Sequence, residues 1–379
     1  MKPAPGALLA VAALALLVMA FGFPVAAAGE AGATASLRHA GWRSAGLPLI
    51  SWGLLMGAAM QGLTATDGAS ATTRLVLLCL AGATGLGQLS PATGAAAAAS
   101  GFWLALTATA LLAWISVQRC AALDASRWVG LLTAALFGAW LLFFWQVGVT
   151  AFEVPRVLLP APLMIAQSLW DHAGTLGRDF VQTVLKAVLV GWAAGSALGF
   201  VVAVAIDRTP FLQRGLLPLA SLTSTVPLVA VAPIMVMWFG FDWPSKATVV
   251  VLMTFFPMLI ATLAGLQAAG KLETELMHSY AAGYGRTLTA LRLPSAVPFI
   301  MSALKINATL ALIGAIVAEF FGSPTVGLGF RISTEAARMN MALVWGAIVV
   351  AAVTGSSAYA LLVVLERRWA FWHPSVRVP

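Results

Sequence analysis

Few side chains in this 379-residue sequence could do acid–base, nucleophilic or metal chemistry. The four histidines stand in separate predicted loops, at His39, His172, His278 and His373. The two cysteines, Cys79 and Cys120, form neither a CxxC pair nor a Cys/His set, which argues against a metal site or a disulfide framework. The sequence also contains no G-x-x-x-x-G-K-[ST] loop, the phosphate cradle that ATP hydrolysis would need. We therefore expect no catalytic residue, no metal site and no cofactor bound by this chain itself.

Polar groups concentrate in residues 271–294, KLETELMHSYAAGYGRTLTALRLP, which lie between two long apolar runs. Strong helix formers, with acidic residues near the start where the helix dipole favours them, predict a helix over 271–282. Gly283 and Gly285 can adopt conformations that bend the chain, and helical character resumes after them. Pro294 falls in the first turn of the next span, where a missing amide hydrogen costs least. The pattern predicts a helix–bend–helix.

This insert is amphipathic, so we expect one side to rest on the protein and the other to face outward. The residues expected to anchor it are Leu276, Tyr280, Leu288 and Leu291. The residues expected to face outward are Glu275, His278, Ser279 and Arg286. An ordinary polar loop would not need this helical amphipathic pattern, which suggests that something outside the membrane acts on the insert.

The elements that hold the insert must be membrane helices. Only 9% of the residues are charged and 61% are hydrophobic, whereas a soluble domain carries about a quarter charged residues. The apolar runs are near twenty residues long, enough to cross a hydrocarbon core, and they lack the period of two of barrel strands. The net charge of +8 comes from basic residues at the ends of these runs, which is typical of membrane topology rather than of nucleic-acid binding. The fold predicted is an all-α, polytopic transmembrane bundle with no nucleic-acid partner.

We predict roughly ten spans, at residues 7–28, 47–66, 73–89, 98–118, 128–149, 180–206, 216–239, 246–266, 296–318 and 342–365. The first span could instead be a cleaved signal peptide, because it has a basic start and an A-x-A-like end. A composition shift near residue 125 separates an N-terminal extension of about four spans (1–125) from a core (126–379). The bias of Lys and Arg places the loop 268–295 of that core in the cytoplasm. A short surface helix is predicted over 160–173.

The insert resembles the EAA loop of binding-protein-dependent ABC importer permeases. The pattern of that loop is E-A-A, three residues, Gly, and a Leu-Pro pair thirteen residues after that Gly. Aligning on Leu293-Pro294 places Glu275 on the Glu and Ala281 on the Gly, so we expect the bend to move to Gly283 and Gly285. The ATPase-coupling residues that this alignment predicts are Glu275, His278, Ser279, Ala281, Ala282, Gly283, Gly285, Arg286, Leu293 and Pro294.

Other segments resemble the nitrate, sulfonate and taurine branch of the same permeases. They include VPRVLLPAPLMIAQSLW, the P-x-x-A-x-x-P-x-x-x-x-W-F-G arrangement that starts at Pro227, and the V-A-E…G-L-G segment around Glu319. The resemblance covers about residues 128–372 and implies a six-span ABC permease core. Residues assigned to the translocation path are Pro227, Pro233, Lys305, Asn307 and Glu319. Lys305 could instead snorkel or pair within a dimer, and Glu319 is expected to shape the outer gate or loop.

The resemblance also implies the partners and the mechanism. Two permease chains, expected to form a homodimer, would line one path in the cell inner membrane. A cytoplasmic ABC ATPase dimer would bind ATP and Mg, and the helix before the bend would dock on it. A periplasmic or lipid-anchored solute-binding protein would deliver a small solute. We expect that solute to be a vitamin-like heterocycle (riboflavin or a pyrimidine precursor) or an anion similar to sulfonate, nitrate or taurine.

Two other function classes would require residue patterns that differ from those in this sequence. An ATP-independent secondary transporter or channel should show inverted halves or an acidic relay within the spans, and neither is evident. A membrane-embedded enzyme should show a His/Asp/Glu cluster at a membrane surface, which the scattered histidines do not make. Neither the identity of the solute nor the role of residues 1–125 follows from the sequence.

Overall fold

The computed structural model describes residues 5–21, 46–63, 69–89, 100–123, 127–209, 228–323 and 325–372, and every regular element within these ranges is helical. Six helices in this part of the chain are long and apolar enough to cross a membrane: Gly101–Ala121, Trp128–Ala151, Ala173–Arg208, Trp243–Gln267, Tyr284–Phe320 and Met341–Trp369. Three further predicted spans form shorter apolar helices, at Leu8–Ala20, Ile50–Leu63 and Ala69–Thr84. The predicted all-α polytopic fold is confirmed. The first half of the predicted span 216–239, residues 216–227, lies outside the described residues.

The chain divides into two compact units, Met1–Met164 and Ile165–Pro379. The first unit contains five long helices: α1 (Pro5–Phe21), α2 (Gly46–Leu63), α3 (Ala69–Leu89), α4 (Ser100–Ala121) and α5 (Arg127–Ala151). Their shared interior is rich in alanine, with Leu17, Leu55 and Phe102 filling the wider gaps. Because α5 packs with α1–α4, the packing boundary lies later than residue 125. The functional boundary at residue 125 stays a prediction.

The second unit holds the segment that resembles the permeases, and we call it the core unit. It begins within α6 (Pro162–Asp171), the predicted surface helix. Its other elements are α7 (Ala173–Phe180), a π-helical segment (Val181–Val188), α8 (Leu189–Arg208), a 3-10 turn (Leu228–Val231), α9 (Ala232–Phe239), α10 (Trp243–Gln267), α11 (Lys271–Ser279), α12 (Tyr284–Thr287), a second π-helical segment (Leu288–Arg292), α13 (Leu293–Phe320), α14 (Leu328–Ala337) and α15 (Met341–Trp369).

A stripe of glycines on α8 allows it to pack closely on α10. Gly191, Gly195 and Gly199 are spaced four residues apart, so they lie on one helix face. A Cβ atom at Gly191 would lie 2.7 Å from the carbonyl oxygen of Ala247, and one at Gly195 would lie 2.7 Å from that of Val251. Small residues at four-residue spacing are the usual way for membrane helices to approach closely. This stripe fixes α8 against α10.

The long helices α8 and α10 run in the same direction and α13 runs opposite to them, which gives the core unit two distinct ends. The C-terminal ends of α8 and α10 meet the start of α13, where Gly265 packs against Ala296. We call this the loop end, because residues 268–295 connect its helices. The start of the α7–α8 segment meets the end of α13, where Thr183 contacts Glu319. We call this the far end.

Candidate functional site

The loop end carries a short exposed helix, α11, in which no residue is buried. Leu272, Leu276 and Tyr280 recur every four residues on one face, and their exposed fractions are 79%, 55% and 78%. The expectation that Leu276 and Tyr280 anchor the insert to the protein is therefore wrong. An amphipathic pattern shows that a helix has an apolar face but not which chain covers it. We call these three residues the apolar stripe.

The polar residues of the insert are placed as expected. Glu275, His278, Ser279 and Arg286 are all exposed. The hydroxyl of Ser279 donates to the carbonyl oxygen of Glu275 at 3.0 Å, so it satisfies a carbonyl in the last turn of its own helix. Leu288 and Leu291 are half-buried, and they supply the anchoring that Leu276 and Tyr280 do not.

The bend of the insert lies at Ala281, and the expectation that it moves to Gly283 and Gly285 is wrong. Ala281 has φ 52°, a left-handed conformation that glycine adopts at less cost. The amide of Ala281 donates to the carbonyl oxygen of His278 at 2.9 Å, and the amide of Ala282 donates to the carbonyl oxygen of Met277 at 3.0 Å. This pair of bonds is the Schellman motif that ends many helices, and its left-handed position usually holds glycine. The Gly position of the EAA pattern is thus a helix C-cap, which alanine fills here.

The two glycines have other roles. Gly283 is extended, with φ −69° and ψ 163°, and precedes the first residue of α12. Its carbonyl oxygen accepts from the amides of Arg286 and Thr287, at 3.0 and 3.1 Å. Gly285 lies within α12. A Cβ atom at Gly283 or Gly285 would meet nothing within 4 Å, so the described part of the chain would accommodate a side chain at either position.

The second half of the insert continues into the next span without a break. Helical structure runs from α12 through the π-helical segment into α13, whose first residues are the predicted Leu293 and Pro294. Both are half-buried. The region from Tyr284 to Phe320 forms one apolar helical stretch. Movement of the bend would therefore act directly on α13.

An ion pair that the sequence reasoning missed ties this insert to the ends of α8 and α10. Both guanidinium NH2 groups of Arg292 donate to the carboxylate of Asp207, each at 2.7 Å. The Nε of Arg292 donates to the carbonyl oxygen of Leu266 at 3.0 Å. The hydroxyl of Tyr284 donates to the same carboxylate at 3.0 Å. We call these residues the loop-end clamp.

At the far end, Glu319 holds the loop that contains the G-L-G residues. Its carboxylate accepts from the hydroxyl of Thr183 at 2.7 Å and from the amide of Gly329 at 2.6 Å. The oxygen of Thr183 accepts in turn from the amide of Leu328 at 2.8 Å. Gly327 has φ 142°, a region that favours glycine, and a Cβ there would lie 2.6 Å from the Glu319 carboxylate. Glu319 thus shapes a loop.

A second carboxylate, Asp179, holds the same loop from the other side. It is fully buried, and it accepts from the Nε of Arg331 at 2.8 Å and from the amide of Gly327 at 2.9 Å. Arg331 follows the loop in α14, so this pair ties α14 to α7. The G-L-G loop is held by side chains from three helices.

The far end also contains an open cavity of about 780 Å³ with a mixed apolar and polar lining, formed by Gly174, Gly177, Arg178, Val181, Gln182, Lys186, Phe241, Asp242 and Val326. Asp242 accepts from the amide of Trp243 at 2.8 Å and from the side chain of Gln182 at 2.6 Å. These bonds lower the pKa of the Asp242 carboxyl, so it remains an anion at neutral pH. The side chain of Arg178 is exposed at this cavity, and Lys186 donates to Gln182 at 3.2 Å.

The other residues assigned to the path have structural contacts. The ammonium of Lys305 pairs with Glu366 at 2.7 Å, which joins α13 to α15. Asn307 is fully buried and donates to Ser196 at 3.0 Å and to the carbonyl oxygen of Thr254 at 2.8 Å. Pro233 lies in the first turn of α9, where proline starts a helix rather than bending one. Pro227 lies outside the described residues.

Comparison with known proteins assigns this architecture. Residues 195–371 match the family described as binding-protein-dependent transport system inner membrane component. The chain belongs to this family. A probable ABC transporter permease protein of Haemophilus influenzae is 31% identical over 222 residues, which are 59% of this chain and 90% of that relative. The chain is therefore a multi-pass inner-membrane permease component of an ABC transporter.

Several relatives carry the name of a solute. The riboflavin transport system permease protein of Chloroflexus aurantiacus is 30% identical, over 62% of this chain and 88% of the relative. The formylaminopyrimidine transport permease protein of Halalkalibacterium halodurans is 29% identical, over 64% and 96%. Taurine and aliphatic sulfonate permeases also match, so the predicted branch is confirmed.

Proposed function

We propose that this chain is the permease subunit of an ATP-driven importer, which receives a small solute from a binding protein. The observation that carries the proposal is the apolar stripe of Leu272, Leu276 and Tyr280. Solvent exposure of three large apolar residues on one short helix marks a contact surface for another protein. The stripe projects from the loop end, which we propose is cytoplasmic, toward an ABC ATPase subunit that binds ATP and Mg.

The geometry of the insert suits the transmission of force. The Schellman motif at Ala281 closes α11 as a rigid unit. The helical stretch from Tyr284 then joins the bend to α13 without a flexible linker. A push on α11 would therefore change the angle of α13, which contacts both α8 and α10 through Asn307. Closure of the ATPase dimer would in this way switch the path between its two openings.

The assembly that we propose has two permease copies as a homodimer, two ATPase subunits at the loop end and a solute-binding protein at the far end. The binding protein is periplasmic or anchored to lipid. The G-L-G loop and the far-end cavity beside it would form the surface that receives the solute.

For the solute, we propose a vitamin-like heterocycle such as riboflavin or a pyrimidine precursor. Support comes from the riboflavin and formylaminopyrimidine permeases, which are among the most similar relatives, and from the far-end cavity, which offers both donors and an acceptor. A ring with amide and amino groups could use the Asp242 carboxylate as well as the two cations. An anion similar to sulfonate, nitrate or taurine is the second candidate, because Arg178 and Lys186 are cationic.

The docking claim is tested by placing a charge on the apolar stripe. Leu276→Glu should weaken co-purification with the ATPase by at least about tenfold, because a carboxylate would lose its hydration in an apolar groove. The matched control is Met339→Glu, which changes an exposed apolar residue after α14 at the far end (65% exposed, against 55% for Leu276). Equal ATPase recovery with both variants would contradict the docking assignment. ATP-independent uptake by the wild-type chain would favour a secondary transporter or channel instead.

A further inference from the structure

The loop-end clamp joins the end of α8 to the end of α10 and to the insert, whose contacts with Asp207 span 77 and 85 residues of sequence. Asp207 is next to the last residue of α8, and Leu266 is next to the last residue of α10. Arg292 is the residue before α13, and Tyr284 is the first residue of α12. A single guanidinium therefore contacts the ends of two core helices while it belongs to the insert that carries α11.

Burial and geometry make this contact stiff. The side chain of Asp207 is 5% exposed and that of Arg292 is 21% exposed, so water competes little for their bonds. The two parallel bonds from the guanidinium fix its plane as well as its distance. The carbonyl of Leu266 lies in the last turn of α10, where backbone acceptors lack helical partners. The third nitrogen of Arg292 satisfies it, so the clamp leaves little freedom for the insert to tilt alone.

We propose that Asp207 and Arg292 are positioning residues that make the ATPase-docking insert move together with α8 and α10. This inference rests on the proposed function. Without the clamp, a push on α11 would be absorbed by rotation at the start of α13. With the clamp, the same push also moves α8 and α10, whose first residues lie next to the far-end cavity.

The clamp depends both on the opposite charges of Asp207 and Arg292 and on the two parallel bonds that the guanidinium donates. A lysine in place of Arg292 would keep the charge but could not bond both carboxylate oxygens and Leu266 at the same time. An asparagine in place of Asp207 would turn an NH2 group toward the guanidinium and remove the anion. Tyr284→Phe would remove one bond and keep the ion pair. The three variants therefore form a graded series.

The test follows the far-end cavity without needing the solute. Native Cys79 and Cys120 are replaced by alanine, Val181→Cys is introduced in the cavity wall, and its maleimide labelling rate is measured with and without MgATP in the permease–ATPase complex. In the parent chain we expect MgATP to change the rate by roughly tenfold, a coupling of ordinary size between linked sites. With Asp207→Asn or Arg292→Lys we expect that change to be lost, while the ATPase stays bound and still hydrolyses ATP.

Two further variants make the result specific. The double variant Asp207→Arg/Arg292→Asp should recover part of the MgATP response, since it restores the ion pair but not the bond to Leu266. Arg338→Gln, which breaks the ion pair between the exposed Arg338 and Glu335 at the far end, is the control and should respond like the parent. If Asp207→Asn does not reach the membrane, Arg292→Lys and Tyr284→Phe decide, with a complete and a partial loss expected.

The inference and the proposed function fail differently. A normal MgATP response in both Asp207→Asn and Arg292→Lys would overturn the clamp and leave the proposed function standing. A charge-swapped variant with no recovery would also overturn the clamp as an electrostatic link. A parent chain that binds no ATPase, or shows no MgATP response at the cavity, would instead contradict the proposed function.

Discussion

The two ends of the core unit use their side chains in opposite ways. At the far end, Glu319, Thr183 and Asp179 are buried and bond to one another's loops and helices, so that the polar groups are satisfied within the chain. At the loop end, α11 leaves Leu272 and Tyr280 uncovered. The far end thus satisfies its buried carboxylates within the chain, whereas the loop end presents the apolar stripe, which we propose receives the ATPase.

Left-handed backbone occurs at both ends, so it does not distinguish them. Ala281 at the loop end has φ 52°, and Thr325 and Met339 at the far end have φ 52° and 61°, positions that glycine would fill at less cost. The two ends differ instead in how their side chains are paired, and this difference can be tested from the largest expected effect to the smallest.

The sidedness of the two ends gives an all-or-none result. A cysteine at Ser279, on exposed α11, should react with a membrane-impermeant maleimide only from the cytoplasmic side. A cysteine at Met339 should react only from the other side, because it belongs to the far end. Labelling of both positions from one side would break the assignment of opposite ends to opposite membrane faces.

Removal of the far-end carboxylate should cost stability. Glu319→Leu leaves the hydroxyl of Thr183 and the amide of Gly329 without their acceptor, which we expect to cost about 3 kcal/mol. The measurement is the unfolding midpoint in detergent, compared with that of the parent chain. Glu319→Gln keeps a carbonyl acceptor and should lose less than half as much. Equal losses would show that the charge, not the hydrogen bonds, holds the G-L-G loop.

Relief of the bend should give a small gain. Ala281→Gly removes the steric cost of a Cβ in the left-handed region, so we expect the C-terminal turn of α11 to become more stable by about 1 kcal/mol. Hydrogen exchange of the Ala281 and Ala282 amides would measure this gain. Gly283→Ala is the control, since its Cβ meets nothing within 4 Å. Slower exchange in the control than in Ala281→Gly would contradict the position of the bend.

The sequence allowed the fold class, the insert and its polar face to be predicted, because each rests on a local pattern. Hydropathy predicted the spans, and the spacing from Glu275 to Pro294 aligned Ala281 with a helix end. The sequence pattern could not show that Leu276 is uncovered, since an amphipathic helix has the same pattern whether its own chain or another chain covers its apolar face. The glycine stripe of α8 was open to prediction from its four-residue spacing.

The contacts between distant residues could not be predicted in this way. Asp207 and Arg292 are 85 residues apart, and each alone resembles an ordinary charge at the end of a span. Glu319 was expected to shape an outer loop, but its partner Thr183 is 136 residues away and has no distinctive sequence pattern. The pairing of such groups depends on helix packing, which only the three-dimensional structure supplies.

The most direct test of the account is photo-crosslinking from the apolar stripe in native membranes. A photoreactive residue at Leu276 should form an adduct with a cytoplasmic ATPase subunit, and the same residue at Met339 should not. A second variant lacks residues 275–285 and carries the photoreactive residue at Leu272. It should form no ATPase adduct, because the folded insert is gone. An ATPase adduct from Met339 and none from Leu276 would contradict the central claim that the ATPase docks at the loop end.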